Sequence, residues 1–483
     1  MIFAPTIAGL LLLWLRTWAR FRDPFHPLIF LLPPFIYLYG WMPLEVYLTN
    51  PERFAHYAGG DFNHLHHALV LLLIGCLVAG VARGGRGVTP RTARWVPLRI
   101  SDPVLLRAAG VGLGLLACGA WLFMVAAKGG LVATYGTAYG QGAYASGYLL
   151  EAPYLGLPGA IFIFLTRTGR GMRPIDWMLV ALCVAPVFLH AMLGARRGPA
   201  FLAFVTAGGG YVYFMRKRVP LVVIAAGGGA LGFLMLFLVA NRGSIYIGSS
   251  FEAVRNPLEY LIQWHSNEYL ISNATVRYTQ EVGGFYGLRE LVWIVGRVLP
   301  AQVWPSIWTD LPALLGIEVN LLVNGGVSRT GIMALTGWMP SMGAAEGYAA
   351  SLWFEFQYLA PAASFAIGWF YGRMWANARD TLAARVVYLL MAALSLYLVM
   401  QALDPWLFRL ILLGLPAYGV LRLVKAEPLV RARPAEPRPA QPRPAPAPAP
   451  ARPPKWRRPR EPERRPTPLR GRFLGTQRAK VRA

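Results

Sequence analysis

Stretches of about twenty consecutive apolar residues recur along the chain, and that is the length a helix needs to cross a bilayer. They fall near residues 2–18, 27–48, 66–83, 104–127, 148–166, 175–193, 199–215, 220–240, 350–376, 386–403 and 405–424. Inside lipid every backbone N–H and C=O must be bonded within the protein, which restricts spanning segments to helices or closed barrels. Segments this long and this apolar read as helices. The expected fold is an all-α polytopic membrane protein of about 11 transmembrane helices. Composition agrees: 14% of the 483 residues are charged, against about 25% in a soluble domain. The first apolar segment has no basic residues before it, so a cleavable leader is not expected.

The net charge of +25 raises the question of nucleic acid, and its placement answers it. From Lys425 onward there are 17 Lys and Arg against 4 Asp and Glu, with 15 prolines. No folded nucleic-acid module accompanies that charge, so nucleic acid is not an expected partner. Proline removes a backbone donor and favours extended chain. Residues 425–483 are therefore expected to be a disordered cytoplasmic tail resting on anionic membrane lipids. Most other basic residues stand in short loops: Arg16, Arg20 and Arg22; Arg83, Arg86, Arg91 and Arg94; Arg167, Arg170 and Arg173; Arg216, Lys217 and Arg218; Arg373, Arg379 and Arg385. Placing these in the cytoplasm gives one topology, with the N-terminus outside and the C-terminus inside.

That topology divides the chain into spans 1–8 (residues 1–240), an external segment (241–347), spans 9–11 (348–424) and the tail. A connection longer than about 15 residues is usually functional or disordered. Residues 241–347 are too rich in Trp, Tyr, Leu and Ile for disorder. They are expected to form a large helical cap between spans 8 and 9, over a site at the membrane surface. Cys76, Cys118 and Cys183 all lie in apolar spans and read as small buried hydrophobes.

Several residues could carry chemistry. The turn GARRGPAFL puts Arg196 and Arg197 on the external side, against the charge bias. Two readings stand: arginines that snorkel at the interface, or guanidinium forks that grip a diphosphate. Arg242 and Arg329 also lie in the external segment. Glu346 stands at the entrance of the ninth span and Glu355 inside it. A carboxylate at that depth is a functional candidate, or else the partner of a nearby arginine. His265 and Glu268 are three residues apart, which suits a general base with its partner or a plain helix-surface hydrogen bond. His56, His64, His66 and His67 with Asp61 suggest metal ligands, but no HExxH motif and no external acidic pair accompanies them. No metal and no cofactor is expected. Asn273 begins an NAT glycosylation sequon.

The order of these parts resembles the bacterial Wzy-type polymerases of oligosaccharide repeat units, within the wider O-antigen polymerase and ligase group. The resemblance covers Gly194 to Trp375: GARRGPAFL between two spans, NRGS opening a long loop, and PSMGAAEGYAASLWFEF leading to IGWFYGRM. Where the family tends to have an aromatic-Gly turn, this chain reads FEFQYLAP. The resemblance implies a glycosyltransferase of the bacterial inner membrane with its catalytic side periplasmic. Donor and acceptor would be undecaprenyl-diphosphate-linked oligosaccharides, and a chain-length regulator would be a further partner. Arg196, Arg197, Arg242 and Arg329 would bind the donor diphosphate. Glu346, His265 or Glu268 would take the acceptor proton, the choice staying open, and Tyr348 would touch substrate. The competing readings are a ligase onto another acceptor and a non-enzymatic flippase or transporter of the same lipid-linked sugars.

Overall fold

The structure, a computed structural model, describes residues 2–58, 62–88, 98–100, 102–136, 151–168, 170–215, 220–241, 246–247, 268–299, 303–318, 333–335, 345–424 and 426–428. Its helices include α1 (Phe3–Phe21), α2 (Pro27–Ile36), α3 (Met42–Thr49), α4 (Phe62–Gly84), α5 (Pro103–Ala127), α6 (Gly156–Thr166), α7 (Pro174–Leu193), α8 (Arg197–Phe204) and α9 (Leu221–Ala240). Then come α10 (Glu268–Val282), α11 (Leu288–Val298), α12 (Ile307–Leu314), α13 (Gly347–Phe356), α14 (Ala360–Asn377), α15 (Leu382–Met400) and α16 (Leu403–Leu423). The chain is an all-helical membrane protein but for one short ladder. Strands β1 (Leu98–Ile100) and β2 (Ala426–Pro428) pair antiparallel, with Arg99 opposite Glu427. The start of the expected tail is thus ordered; residues 429–483 lie outside the described part.

Among the described residues, seven helices are long and apolar enough to cross a membrane: Pro27–Thr49, Asn63–Gly84, Pro103–Ala127, Pro174–Leu193, Leu221–Leu238, Leu382–Met400 and Leu403–Leu423. The other four expected spans are helical with a different build. α1 carries Arg16 and Arg20, α6 has 11 residues, and α8 passes through a π-helical turn at Val205–Gly209 into 210–215. The fourth, expected as one helix over 350–376, is broken. α13 ends at Phe356, Gln357 takes φ 44° and ψ −117°, and α14 restarts at Ala360. Pro361 explains the restart, since it has no N–H to offer Gln357 and suits the first turn of a new helix. The carbonyls freed at the end of α13 are bonded from elsewhere. Phe285 N–H donates to Phe354 O at 3.2 Å and Gly287 N–H to Glu355 O at 2.9 Å. The break therefore seats the start of α11 against the end of α13.

Lipid offers little hydrophobic drive for pairing helices, so close packing must do it. α4 and α14 run parallel with their backbones in contact. A Cβ on Gly80 would lie 2.1 Å from Phe365 O, and one on Gly368 2.1 Å from Leu77 O. Only glycine permits this crossing. α15 is apolar on every side and is the central helix, enclosed almost throughout, whereas α9 is almost wholly outward-facing.

Polar contacts mark the two ends of the bundle. At one, Asp176 takes Arg107 and Arg167 at 2.7 Å each, and Asp23 accepts from Trp375 Nε1 at 2.9 Å. The other end is reached by the C-termini of α5 and α7. α7 has 20 residues, so the ends are about 30 Å apart. Arg196, Arg197, Glu268 and Glu346 gather at this second end.

Within residues 241–347, α10, α11 and α12 are helices. α10 is no loose cover, however. Ile271, Ser272, Asn273, Ala274 and Thr275 are all buried, and it packs along α13, the helix Pro51–Ala58 and α4. Asn273 is fully enclosed, so the sequon there is not a usable glycosylation site in this fold.

Candidate functional site

The turn between α7 and α8 is tight because the backbone folds back on the last turn of α7. Arg196 N–H donates to Ala191 O at 2.9 Å and Gly194 N–H to His190 O at 3.2 Å. The residue in the left-handed region is Ala195, at φ 48°, and not one of the glycines. Gly198 has a packing role instead: a Cβ there would lie 2.4 Å from the Tyr397 hydroxyl oxygen. Arg196 and Arg197 are thereby held, half-buried, at the start of α8.

Arg197 is ion-paired with Glu268 at the start of α10. Glu268, expected beside His265 as a base, is thus a partner of the arginine pair; His265 lies outside the described residues, as do Arg242 and Arg329. Arg196 is within electrostatic reach of Lys128, Tyr135, His190, Tyr154 and Tyr397. Burial, and then Arg196, hold the Lys128 ammonium below its usual range. Beneath them Arg409 grips Glu151 with two bonds, Nε to Oε2 at 2.9 Å and Nη2 to Oε1 at 2.8 Å. Its guanidinium lies 4.4 Å from the Tyr397 ring and 5.1 Å from Tyr154. A fully bonded buried pair of this kind is a fixed scaffold, since removing either member strands a charge.

A second group lies around the broken helix. Arg289 is 1% exposed and is ion-paired with Glu355 of α13. Glu290, Glu346 and Asp404 are also within its electrostatic reach, and all of them are buried. Glu346 stands at the N-cap of α13 without bonding its own helix. Gly347 N–H donates to Gln401 O at 2.8 Å, and Leu403 N–H donates to Ser351 Oγ at 2.9 Å. These bonds fix Glu346 against the turn from α15 to α16. Arg297 joins the two groups. It covers the Trp293 ring at 4.1 Å and the Phe408 ring at 4.9 Å, and Glu151, Arg409, Asp404 and Glu290 are all within its electrostatic reach.

Tyr348 requires a correction. It is 1% exposed, its hydroxyl is bonded to Ser364 Oγ at 2.7 Å, and its ring meets Phe35 edge-on. It is a core residue with no face left for substrate. The histidine group is likewise divided. His66 Nε2 bonds Ser272 Oγ at 3.1 Å and His67 Nε2 bonds Thr6 Oγ1 at 2.8 Å, while His64 is exposed. Among the described residues no three His, Cys, Asp or Glu side chains are placed to hold a metal. Asp61 lies outside the described residues.

Sequence reasoning missed Lys128, Glu151, Arg289, Glu290, Arg297, Asp404 and Arg409. The rule that singled out Glu346 applied equally to Glu151, Asp404 and Arg409, which sit in or at the edge of apolar spans. Arg289 gave no such signal, because its burial depends on the break at Gln357.

Compared with known proteins, the chain matches no family model, no curated protein and no solved structure. What the fold and site define by themselves is a helical membrane protein with cations and buried carboxylates gathered at one end of its bundle.

Proposed function

We propose that the chain is an inner-membrane glycosyltransferase that polymerises polyprenyl-diphosphate-linked oligosaccharide repeat units, working on the periplasmic face without a metal. The observation that carries this is the half-buried trio Arg196, Arg197 and Lys128 at the same end of the bundle as the carboxylate Glu346. In the reaction the acceptor hydroxyl oxygen attacks the anomeric carbon of the donor. The bond from that carbon to the diphosphate oxygen breaks, and the diphosphate leaves with the electron pair. Its growing charge is met by fixed cations, the kind of stabilisation that contributes most in a site shielded from water. Arg197 exchanges its bond with Glu268 for the phosphate oxygens, where its fork fits two at once. The hydroxyl proton passes to a base, with Glu346 and His265 the candidates. A single displacement inverts the anomeric centre.

Deleting the gene and sizing the surface glycan tests this reading. The expected result is single repeat units on the final carrier. Complete loss of long chains from that carrier indicates a ligase, and cytoplasmic build-up of the lipid-linked unit indicates a flippase.

A further inference from the structure

Four carboxylates face one guanidinium at the broken helix. Glu290, Glu346, Glu355 and Asp404 are each no more than 7% exposed, as is Arg289. Arg289 pairs through Nε with Glu355. Among the described residues its Nη2 has no hydrogen-bond partner and lies between two other acids, 3.9 Å from Glu290 Oε1 and 4.0 Å from Asp404 Oδ1. Neither distance is a hydrogen bond. Both carboxyl oxygens of Glu290 also lack a hydrogen-bond partner among the described residues. Among the described residues the next cation, Arg297, is turned over two aromatic rings. Full ionisation would set four negative charges against these two positive ones, away from water. Buried charge left unbalanced is relieved by taking up a proton.

We propose that the space between Arg289, Glu290 and Asp404 is a proton-binding site, with Glu290 carrying the proton while Glu355 stays ionised against Arg289. The charged groups within electrostatic reach of Glu290 come from three helices: Arg289 and Arg297 on its own helix α11, Glu346 and Glu355 from α13, and Asp404 from α16. On the neighbouring α12, Asp310 is instead bonded to Trp304 Nε1 at 2.8 Å and is exposed. Burial, then Asp404 and Glu355, hold the Glu290 carboxyl well above its usual range, with Arg289 opposing. Loss of the proton sets like charges against one another across α11, α13 and α16. The site therefore ties the packing of the broken helix to pH. It goes beyond the glycan-transfer reading and does not depend on it.

A carboxyl raised in the folded state releases its proton first on unfolding. Stability is then full below the unfolded value of about 4.3 and falls as pH rises towards the folded value, about tenfold in the unfolding equilibrium per pH unit. The test is thermal unfolding of the full chain in detergent across pH 5 to 10. Wild type should lose stability as pH rises. Glu290→Gln keeps a neutral group of the same shape and should flatten that fall, with a higher midpoint than wild type at pH 8. Equal pH dependence in the two proteins overturns the proposal. Should Glu290→Gln not fold, infrared spectra of wild type at pH 7 decide. A carbonyl band of a protonated buried acid is expected, titrating at lower pH in Asp404→Asn. No band, or a band that Asp404→Asn leaves in place, overturns it.

Discussion

Arg289→Met should destabilise the protein by about 3–5 kcal/mol, the cost of removing one partner from a buried ion pair. The size follows from what is left behind. Glu355 is fully buried, and without Arg289 its charge has lost the guanidinium that pairs with it. The same arginine offsets Glu290, Glu346 and Asp404, so its loss strands several acids at once. Arg289→Lys keeps a charge but not the planar fork and should fall between the two. Adding Glu355→Gln to Arg289→Met removes the stranded charge and should recover part of the loss. Thermal unfolding in one detergent, at one pH, measures all four proteins. A midpoint for Arg289→Met equal to wild type would show that the pair does not hold α11 to α13.

Arg197→Lys and Glu346→Gln should each express and fold, yet lower the rate of glycan transfer roughly 10²–10³-fold, the loss expected for one contact made mainly in the transition state. Lysine in place of Arg197 keeps the pairing charge for Glu268 but cannot meet two phosphate oxygens together. Arg196→Lys should behave in the same way. Glu268→Gln separates two roles. If Glu268 serves to hold Arg197, as their ion pair suggests, the variant should retain most of its rate. A loss as large as that of Glu346→Gln would make Glu268 the base. Initial rates at matched protein levels in lipid vesicles decide between them.

The membrane class and the helical nature of α10, α11 and α12 were legible in the sequence, because long apolar runs and aromatic-rich segments leave few other folds. The pairing of α4 with α14 was not. Gly80 and Gly368 look like ordinary small residues in apolar runs until the two backbones are seen in contact. The break at Gln357 was half legible, since FEFQYLAP departs from the family pattern and Pro361 cannot continue a helix. What could not be read was its consequence. Phe285 and Gly287 lie some seventy residues earlier, and their bonds to Phe354 and Glu355 draw Arg289 into the interior. Of the proposed cations, Arg196 and Arg197 were found because two arginines ran against the charge bias. Lys128 follows an apolar span without a motif, and only the fold brings it near Arg196. Tyr348 came from the family resemblance alone, which carries no information on burial, whereas its hydroxyl is satisfied inside the bundle.

The central claim is glycosyl transfer from a lipid diphosphate. Its most direct test places purified wild-type protein in vesicles with a labelled polyprenyl-diphosphate oligosaccharide and a chelator. The account predicts a ladder of lengthened glycans, with one polyprenyl diphosphate released for each bond formed. Donor that stays at one repeat length, whether left in place or moved across the bilayer, would contradict it.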